Sequence, residues 1–508
     1  MRPARGPRRW RCGRGSGQAP RRLGRAGRDA AQGHARPRHG AGEPPDLRGL
    51  RGPDQGPRPG GPFPGRTSAQ RLDPDRVTDD PARNYWRDGR EAYVPRAHPR
   101  PETVDVAVVG SGFTGLRLAL ELARGGRSVA VLEAEDIGHG ASSRNGGMVG
   151  PSFHKLGMAG LTAHYRAERA AAIMAEGMTA LDDFEAFLAA EGIDCGLTMA
   201  GRFRGAPTAA SYEATARECE RLEKAVGLPY EMVPRARQQD QIGSDFYRGG
   251  VVYLRDGMIQ PRMLVEALAR RAEDAGAMLF ERTPVSGLTR DAGGVALRLP
   301  DGVMRAREVV MATNGYGAAQ ATAPLGPRVV PILTGVAATE PLSANLMGEL
   351  TPQGRAFGEN RRVFMWFRPT PDNSRFIFGG RIGPMRAGDA RRARAVRAAA
   401  TRVFPQLEGV NFSHLWTGKI AYTQDHAPHL GRIDGVWYAG GYCGSGVTRS
   451  LYFARKLALK ILERPGAETA FDGLDFPRIP FRPFAPLVAA AVTRWSALRD
   501  VIDDRRRD

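Results

Sequence analysis

Three glycines and one acid carry the first chemical expectation. Gly110, Gly112 and Gly115 stand in the pattern GxGxxG, and Glu133 follows some way downstream. In such a pattern the first glycine permits a tight turn and the second lets the backbone approach a pyrophosphate. The third lets a helix lie close to a strand, and an acid about 20 residues on accepts hydrogen bonds from ribose hydroxyls. Phe113 and Thr114 complete the turn. The set predicts a site for an adenine dinucleotide, and Glu133 disfavours one bearing a 2′-phosphate, because two negative groups would meet. A bare GxGxxG is also any glycine-rich turn, so the flanking elements decide.

Those elements are present. Val104 to Val109 is an apolar, β-branched run suited to a strand buried on both faces. Leu116, Leu118, Ala119, Leu120 and Leu122 continue as a helix, whose N-terminus offers N–H groups and partial positive charge to phosphate. Ser128 to Leu132 is the second strand and ends at Glu133. Much later, a strand over Gly435 to Ala439 runs into a second glycine-rich turn, Gly440 to Gly446, that opens a helix from Val447 to Leu462. Two such helix starts suit one long ligand held at both ends. A flavin fits, because its reduced ring carries negative charge along N1 and O2, where a helix dipole helps.

The chain has 508 residues and a formal net charge of +20, long enough for two core-bearing domains. The charge is not spread evenly. Residues 1–76 hold 18 Arg against six acids, lack Lys, Ile, Asn and Tyr, and are over a third Gly or Pro. Such a segment cannot bury enough apolar surface to offset ordering entropy, so it reads as a disordered extension. A nucleic-acid tail would want more aromatic platforms than Trp10 and Phe63. A transit peptide would want an amphipathic helix that this Pro and Gly content breaks. The missing residue types all have AT-rich codons, which favours GC-rich DNA translated upstream of a start near Val77. Peptides from 1–76 in the native protein would overturn that. Cys12, Cys195, Cys219 and Cys443 show no metal or disulfide spacing and fit a reducing cytoplasm. No apolar run reaches the roughly 18 residues of a membrane span; Pro486 to Val492 is too short.

Between the two turns the sequence predicts helices over Glu168 to Glu191, Tyr212 to Val226, Pro261 to Ala275 and Ala387 to Phe404. Short strands are expected at Ala277 to Glu281, Val285 to Leu288, Val295 to Leu299 and Arg307 to Met311. Val329 to Glu340 and Val363 to Phe378 read as parts of an antiparallel sheet, and Trp416 to Gly431 as a loop-rich stretch.

At this point the motifs resemble a known family. They are GSGFTG with Glu133, GASSRNGG at Gly140 to Gly147, DGMIQP at Asp256 to Pro261, ATNGY at Ala312 to Tyr316 and RFIFGGR at Arg375 to Arg381. WTGKIAYTQDHAPHLGR at Trp416 to Arg432 and GYCGSGV at Gly441 to Val447 complete the ordered set. The chain resembles the D-amino-acid-oxidase-like superfamily of FAD-dependent oxidoreductases, and within it the γ-glutamylputrescine oxidase and amine oxidase branch. The resemblance implies an α/β fold with an α+β substrate part. A Rossmann-type FAD-binding domain (100–150, 245–320 and 413–465) would be interleaved with an antiparallel-sheet substrate domain (151–244 and 321–412), and a tail (466–508) would pack on the FAD domain. It implies that Ser142, Ser143, Arg144, Asn145, Gly146 and Gly147 lie along the flavin. Val285 would bracket the adenine, and Gly444, Ser445 and Gly446 would face the pyrimidine edge.

Two departures sharpen the expectation. Relatives acting on amino acids carry an Arg for the substrate carboxylate where this chain has Ile420, and others carry a flavin-linking Cys in the same neighbourhood. Ile can do neither, which implies a non-covalent FAD and an amine without a close α-carboxylate. Many relatives have His where this chain has Ser445. The implied chemistry is hydride transfer from an amine to flavin N5, then hydrolysis of the imine, with oxygen or another acceptor taking the electrons. Tyr422, His426 and His429 fall where the substrate side is expected, though either histidine could equally pack in a loop. Arg381 could attract an acidic tail or close a structural ion pair. Tyr442 could wall the site or pack in the core. His154, His164 and Arg202 are further possible contacts, and Trp366 reads as core. A D-amino-acid dehydrogenase or glycine-oxidase-like activity is the alternative, and a nucleic-acid-binding flavoprotein the remote one. The expected partners are a small-molecule amine and an electron acceptor, with neither nucleic acid nor integral membrane contact.

Overall fold

The computed structural model describes residues 84–154, 156–316, 324–363, 365–380, 389–480 and 484–505. The extension 1–76 and Arg381 lie outside them. Among the described residues the strands form two eight-stranded sheets and a two-stranded ribbon.

The first sheet is built around β1 (Thr103–Val109), which pairs in parallel with β2 (Val129–Leu132) on one side and β11 (Gly302–Met311) on the other. Val106, Ala107 and Val108 are at most 1% exposed, which is why this strand is apolar on both faces. β8 (Met278–Phe280) extends the sheet beyond β2, while β18 (Val436–Gly440) and β17 (His429–Ile433) extend it beyond β11. A hairpin of β9 (Gly287–Asp291) and β10 (Gly294–Leu299) joins the edge of β11. Helix α1 (Phe113–Arg124) packs against α5 (Pro261–Asp274) and α8 (Val447–Ile461) on this layer.

The second sheet runs β16-β12-β15-β14-β13-β4-β6-β5. Its strands are β4 (Arg202–Gly205), β5 (Tyr230–Pro234), β6 (Gly249–Tyr253), β12 (Val330–Thr339), β13 (Ala356–Glu359), β14 (Met365–Pro369), β15 (Phe376–Gly380) and β16 (Phe412–Tyr422). Its pairs are antiparallel except β13 with β4. Phe357, Phe367, Phe376 and Phe378 meet Phe404, just past α7 (Asp389–Val403), in one aromatic cluster. Met347 and Leu350 of α6 (Ala344–Leu350) join that core. The ribbon pairs β3 (Met148–Val149) with β7 (Gly257–Met258). Helix α3 (Ala167–Glu191) bridges α8 to α4 (Ala209–Val226), and α2 (Gly157–His164) packs on α3 and α4.

The strands redraw three expected boundaries. β6 begins at Gly249 and belongs to the second sheet, so that sheet takes the start of the expected 245–320 block. β16 likewise removes residues 413–422 from the first layer. Trp416 to Tyr422 is not a loop: β16 pairs with β12 from Phe412↔Thr339 to Tyr422↔Val330. Its polar residues look loop-like in sequence, but the ladder satisfies their backbone and Thr417 is buried. The tail divides. Phe471 packs on Phe453 and Phe476 stacks on His429 and Tyr438, whereas α9 (Ala485–Arg505) contacts β12 of the second sheet. Asp500 near its end pairs with Arg362. Among the described residues no helix is long and apolar enough to cross a membrane.

Candidate functional site

The first βαβ turn leaves no room for side chains. Gly110 has φ +105°, where a Cβ is strained. A Cβ on Gly115 would lie 1.9 Å from the Gly110 carbonyl oxygen, so the helix start rides directly on the turn. Helices α4, α5 and α6 are capped by the side chains of Thr208, Gln260 and Ser343. By contrast, α1 and α8 begin at Gly112 and Gly446, which carry no capping side chain. Their leading N–H groups are therefore open to a ligand. One exception is Phe113, whose N–H donates to Ser142 Oγ at 2.9 Å. The two helix starts lie together: the Thr114 hydroxyl bonds the Tyr442 phenol at 2.8 Å.

Glu133 is half-buried at the end of β2. Its Oε2 accepts from the Ser111 N–H at 2.9 Å and the Ser111 hydroxyl at 2.6 Å. The acid thus braces the turn at the position required for a ribose. Glu133→Ala is expected to weaken dinucleotide binding roughly 10- to 100-fold, the scale of one charge-assisted hydrogen bond or two weaker ones. Titration of the apoprotein by flavin fluorescence measures it, and an unchanged Kd would remove Glu133 from the site. Val285 is buried among Val109, Leu132 and Val295, close to where Thr283 N–H donates to the Glu133 carbonyl at 2.7 Å.

The loop after Glu133 spends most of its side chains on its own shape. Ser142 Oγ caps α1. Ser143 is fully buried and bonds the Gly138 carbonyl at 2.5 Å. Arg144 turns inward: Nε donates to the His139 carbonyl at 2.8 Å and Nη1 to the Thr417 carbonyl at 3.2 Å. It ties the loop to β16. Burial, then the Arg144 charge, lowers the His139 pKa. Asn145 Oδ1 accepts from Gly147 N–H at 2.7 Å. A Cβ on Gly146 would strike the Trp366 ring, and one on Gly147 would lie 2.2 Å from the Ile259 carbonyl oxygen.

Around the second turn Gly444 is exposed, while Ser445 and Gly446 are half-buried. Ser445 N–H donates to the Tyr442 carbonyl at 2.9 Å. Tyr442 is buried, and burial raises its pKa, so it acts as a neutral strut between the two helix starts. Tyr422 and His426 come together, with ring centroids 6.0 Å apart and edge to face. His429 does not join them: it is 1% exposed, stacked on Phe476 and bonded to Asp425 at 3.1 Å. His164 is exposed at the end of α2, and Arg202 pairs with buried Asp256 at 2.7 Å.

Several positioning residues had weak sequence signals. Arg368 is 1% exposed on β14, and its Nη1 donates to the carbonyls of Gly146 (3.1 Å) and Ile259 (2.7 Å). Burial pushes its pKa down to about 9. A lone Arg inside an apolar strand was the available hint. Trp86 is fully buried and donates to the Asn145 carbonyl at 2.8 Å, and Asn84 donates to the Ser143 carbonyl at 2.8 Å. The polar lead-in therefore pins the loop. Asn314 in ATNGY has φ +48° and accepts from Gly441 N–H at 2.9 Å, linking β11 to the second turn.

The paired helix starts, the glycine cradle and the braced acid fit an adenine dinucleotide whose far end reaches the α8 turn. Comparison with known proteins agrees. Residues 105–459 match the DAO family, FAD-dependent oxidoreductases. The chain is 30% identical to the γ-glutamylputrescine oxidoreductase of Escherichia coli K12, over 75% of this chain and 88% of that one. It is 28% identical to an oxidoreductase named OrdL from Haemophilus influenzae, over 74% of this chain and 87% of that one. The crystal structure of glycine oxidase from Geobacillus kaustophilus superposes with a TM-score of 0.61 at 24% identity, covering 75% of this chain and 99% of that one. The chain belongs to the DAO family of FAD-dependent oxidoreductases, with FAD as its cofactor.

Proposed function

We propose that the enzyme oxidises the C–N bond of an amine that lacks a carboxylate beside the reacting carbon, γ-glutamylputrescine or a similar modified amine. The observation that carries this reading is Ile420. Gly418 approaches the loop, its Cβ position lying 3.5 Å from Arg144 Cβ and 3.8 Å from the Tyr316 hydroxyl. Ile420, two residues on, shares that face of β16 and pairs across the sheet with Ile332. An α-carboxylate brought here would meet two half-buried aliphatic side chains in place of a bidentate cation. The relative named for γ-glutamylputrescine supports the substrate class. Glycine oxidase of Geobacillus kaustophilus, 27% identical over 73% of this chain, supports the amino-acid alternative.

In this reading the first sheet binds FAD and the second presents the substrate. FAD, when bound, supplies the two-electron acceptor. The α1 N-terminus would face its diphosphate, the α8 N-terminus the pyrimidine edge of its ring, and Glu133 its adenosine ribose. The turn at Gly444–Gly446 and the loop at Ser142–Gly147 border the ring. Tyr422 and His426 sit toward the amine, where His426 can take the ammonium proton so that the nitrogen lone pair is free. The carbon gives up hydride as the nitrogen lone pair turns C–N into C=N, and water hydrolyses the imine to an aldehyde or ketone and ammonia or an amine. Oxygen or another acceptor would take up the two electrons. With Ile420 in place of a thiol, the flavin is held non-covalently. Among the described residues the buried Cys195, Cys219 and Cys443 form no disulfide, which supports a cytoplasmic setting, and the relative named for γ-glutamylputrescine supports a role in polyamine catabolism.

Ile420→Arg tests the specificity. It is expected to raise kcat/KM for glycine or D-alanine at least tenfold and to lower it for the γ-glutamylated amine. Faster turnover of D-alanine than of the amine by the unmodified enzyme would favour the amino-acid reading instead.

A further inference from the structure

A small cavity of about 10 Å³, room for one water-sized group, lies beside the start of α8 and is lined by Ser152, His154, His426, Ser445, Arg449 and Phe471, among others. Two of these side chains are deeply buried yet unsatisfied. His154 is 7% exposed and its Nε2 has no hydrogen-bond partner; Arg449 is 1% exposed and its Nε has none. The His154 proton can be placed. Nδ1 accepts from Leu156 N–H at 3.2 Å, so Nε2 carries the hydrogen. Burial pushes the His154 pKa down to about 4, which leaves the ring neutral and Nε2–H a fixed donor. Arg449 keeps its charge, which the buried Glu176 carboxylate partly balances, and its Nη1 and Nη2 donate weakly to the carbonyls of Glu176 (3.3 Å) and Ser152 (3.5 Å). The nearby acid Asp425 is already engaged by Ala427 N–H and His429, both at 3.1 Å. The cavity thus joins two nitrogens without a hydrogen-bond partner, His154 Nε2 and Arg449 Nε, and a serine hydroxyl. Each unpaired buried donor is costly, so the site calls for an acceptor.

We propose that this cavity is a carboxylate subsite, receiving one oxygen of an acidic tail carried by the substrate at a distance from the reacting amine. The inference rests on the amine reading above and deepens it. Ile420 offers no partner to an acid on β16, whereas His154 and Arg449 offer donors to one in this cavity. An amine ending in a carboxylate is then oriented, and a plain alkylamine is not. His154 acts here in binding.

The test uses the FAD-loaded full chain with glutarate as an unreactive probe and 1,5-pentanediol as its neutral counterpart, followed through the flavin spectrum. Glutarate is expected to perturb the spectrum saturably and the diol not. His154→Leu is expected to weaken glutarate binding at least tenfold, while His154→Gln, which keeps a donor, stays within threefold. Ser445→Ala, a milder change, is expected to weaken it about threefold. Equal glutarate binding by the unmodified and His154→Leu proteins, or none by the unmodified protein, overturns the subsite. If glutarate binds through His154 but no amine bleaches the flavin, the subsite stands and the amine reading falls.

Discussion

Gly115→Ala is expected to yield a colourless, largely insoluble protein. The new methyl group would sit 1.9 Å from the Gly110 carbonyl oxygen, and that neighbour is backbone in a turn that cannot yield. Moving α1 away would break its packing against α5 and α8 and open the sheet at β1. The cost is roughly 4 kcal/mol or more, in the range of severe core lesions. Gly112→Ala makes the matched control. There the nearest atom is Ser142 Oγ at 2.8 Å, the end of a short side chain that can rotate. This variant is expected to fold, lose the bond from Phe113 N–H to Ser142, and bind FAD at least 100-fold more weakly because the methyl group occupies the pyrophosphate's approach. Circular dichroism and flavin fluorescence titration separate the two outcomes. Soluble, yellow Gly115→Ala protein would contradict the packing argument.

Arg368→Leu is expected to have the next largest effect. Its guanidinium gathers the carbonyls of Gly146, Ile259 and Pro369. It also lies over the Trp86 ring, which pins the same loop. Leucine would leave those carbonyls unpaired in a dry environment, at about 1–3 kcal/mol for each one that finds no water. We expect a loss of about 3 kcal/mol in urea unfolding, and FAD affinity reduced at least tenfold, because the loop from Ser142 to Gly147 loses its anchor. Arg368→Lys should fall between, since one ammonium cannot reproduce the fork. Wild-type affinity in the leucine variant would show that the loop needs no support from the second sheet.

The residues that could be read in sequence are those whose chemistry is local. Gly110, Gly112, Gly115 and Glu133 sit within one βαβ unit, so their spacing alone fixes strand, turn, helix and acid. The second turn at Gly444 to Gly446 was legible for the same reason. What stayed hidden depends on pairing across distance. That β6 and β16 join the second sheet is set by hydrogen-bonded register with β4 and β12, which no local pattern specifies. Arg144 has the composition of a ligand-facing residue, yet the Thr417 and His139 carbonyls draw it inward. The Thr114–Tyr442 bond joins residues far apart in sequence, and only their meeting shows that the two helix starts lie side by side. His154 shows the reverse: a lone histidine in a polar loop acquires meaning only from the buried Arg449 beside it.

The most direct test is anaerobic mixing of the yellow, FAD-loaded enzyme with γ-glutamylputrescine and, separately, with glycine and D-alanine, following the flavin absorbance. Rapid, complete bleaching by the amine, and bleaching at least tenfold slower by the amino acids, is the predicted result. Bleaching by D-alanine or glycine that outpaces the amine would contradict it.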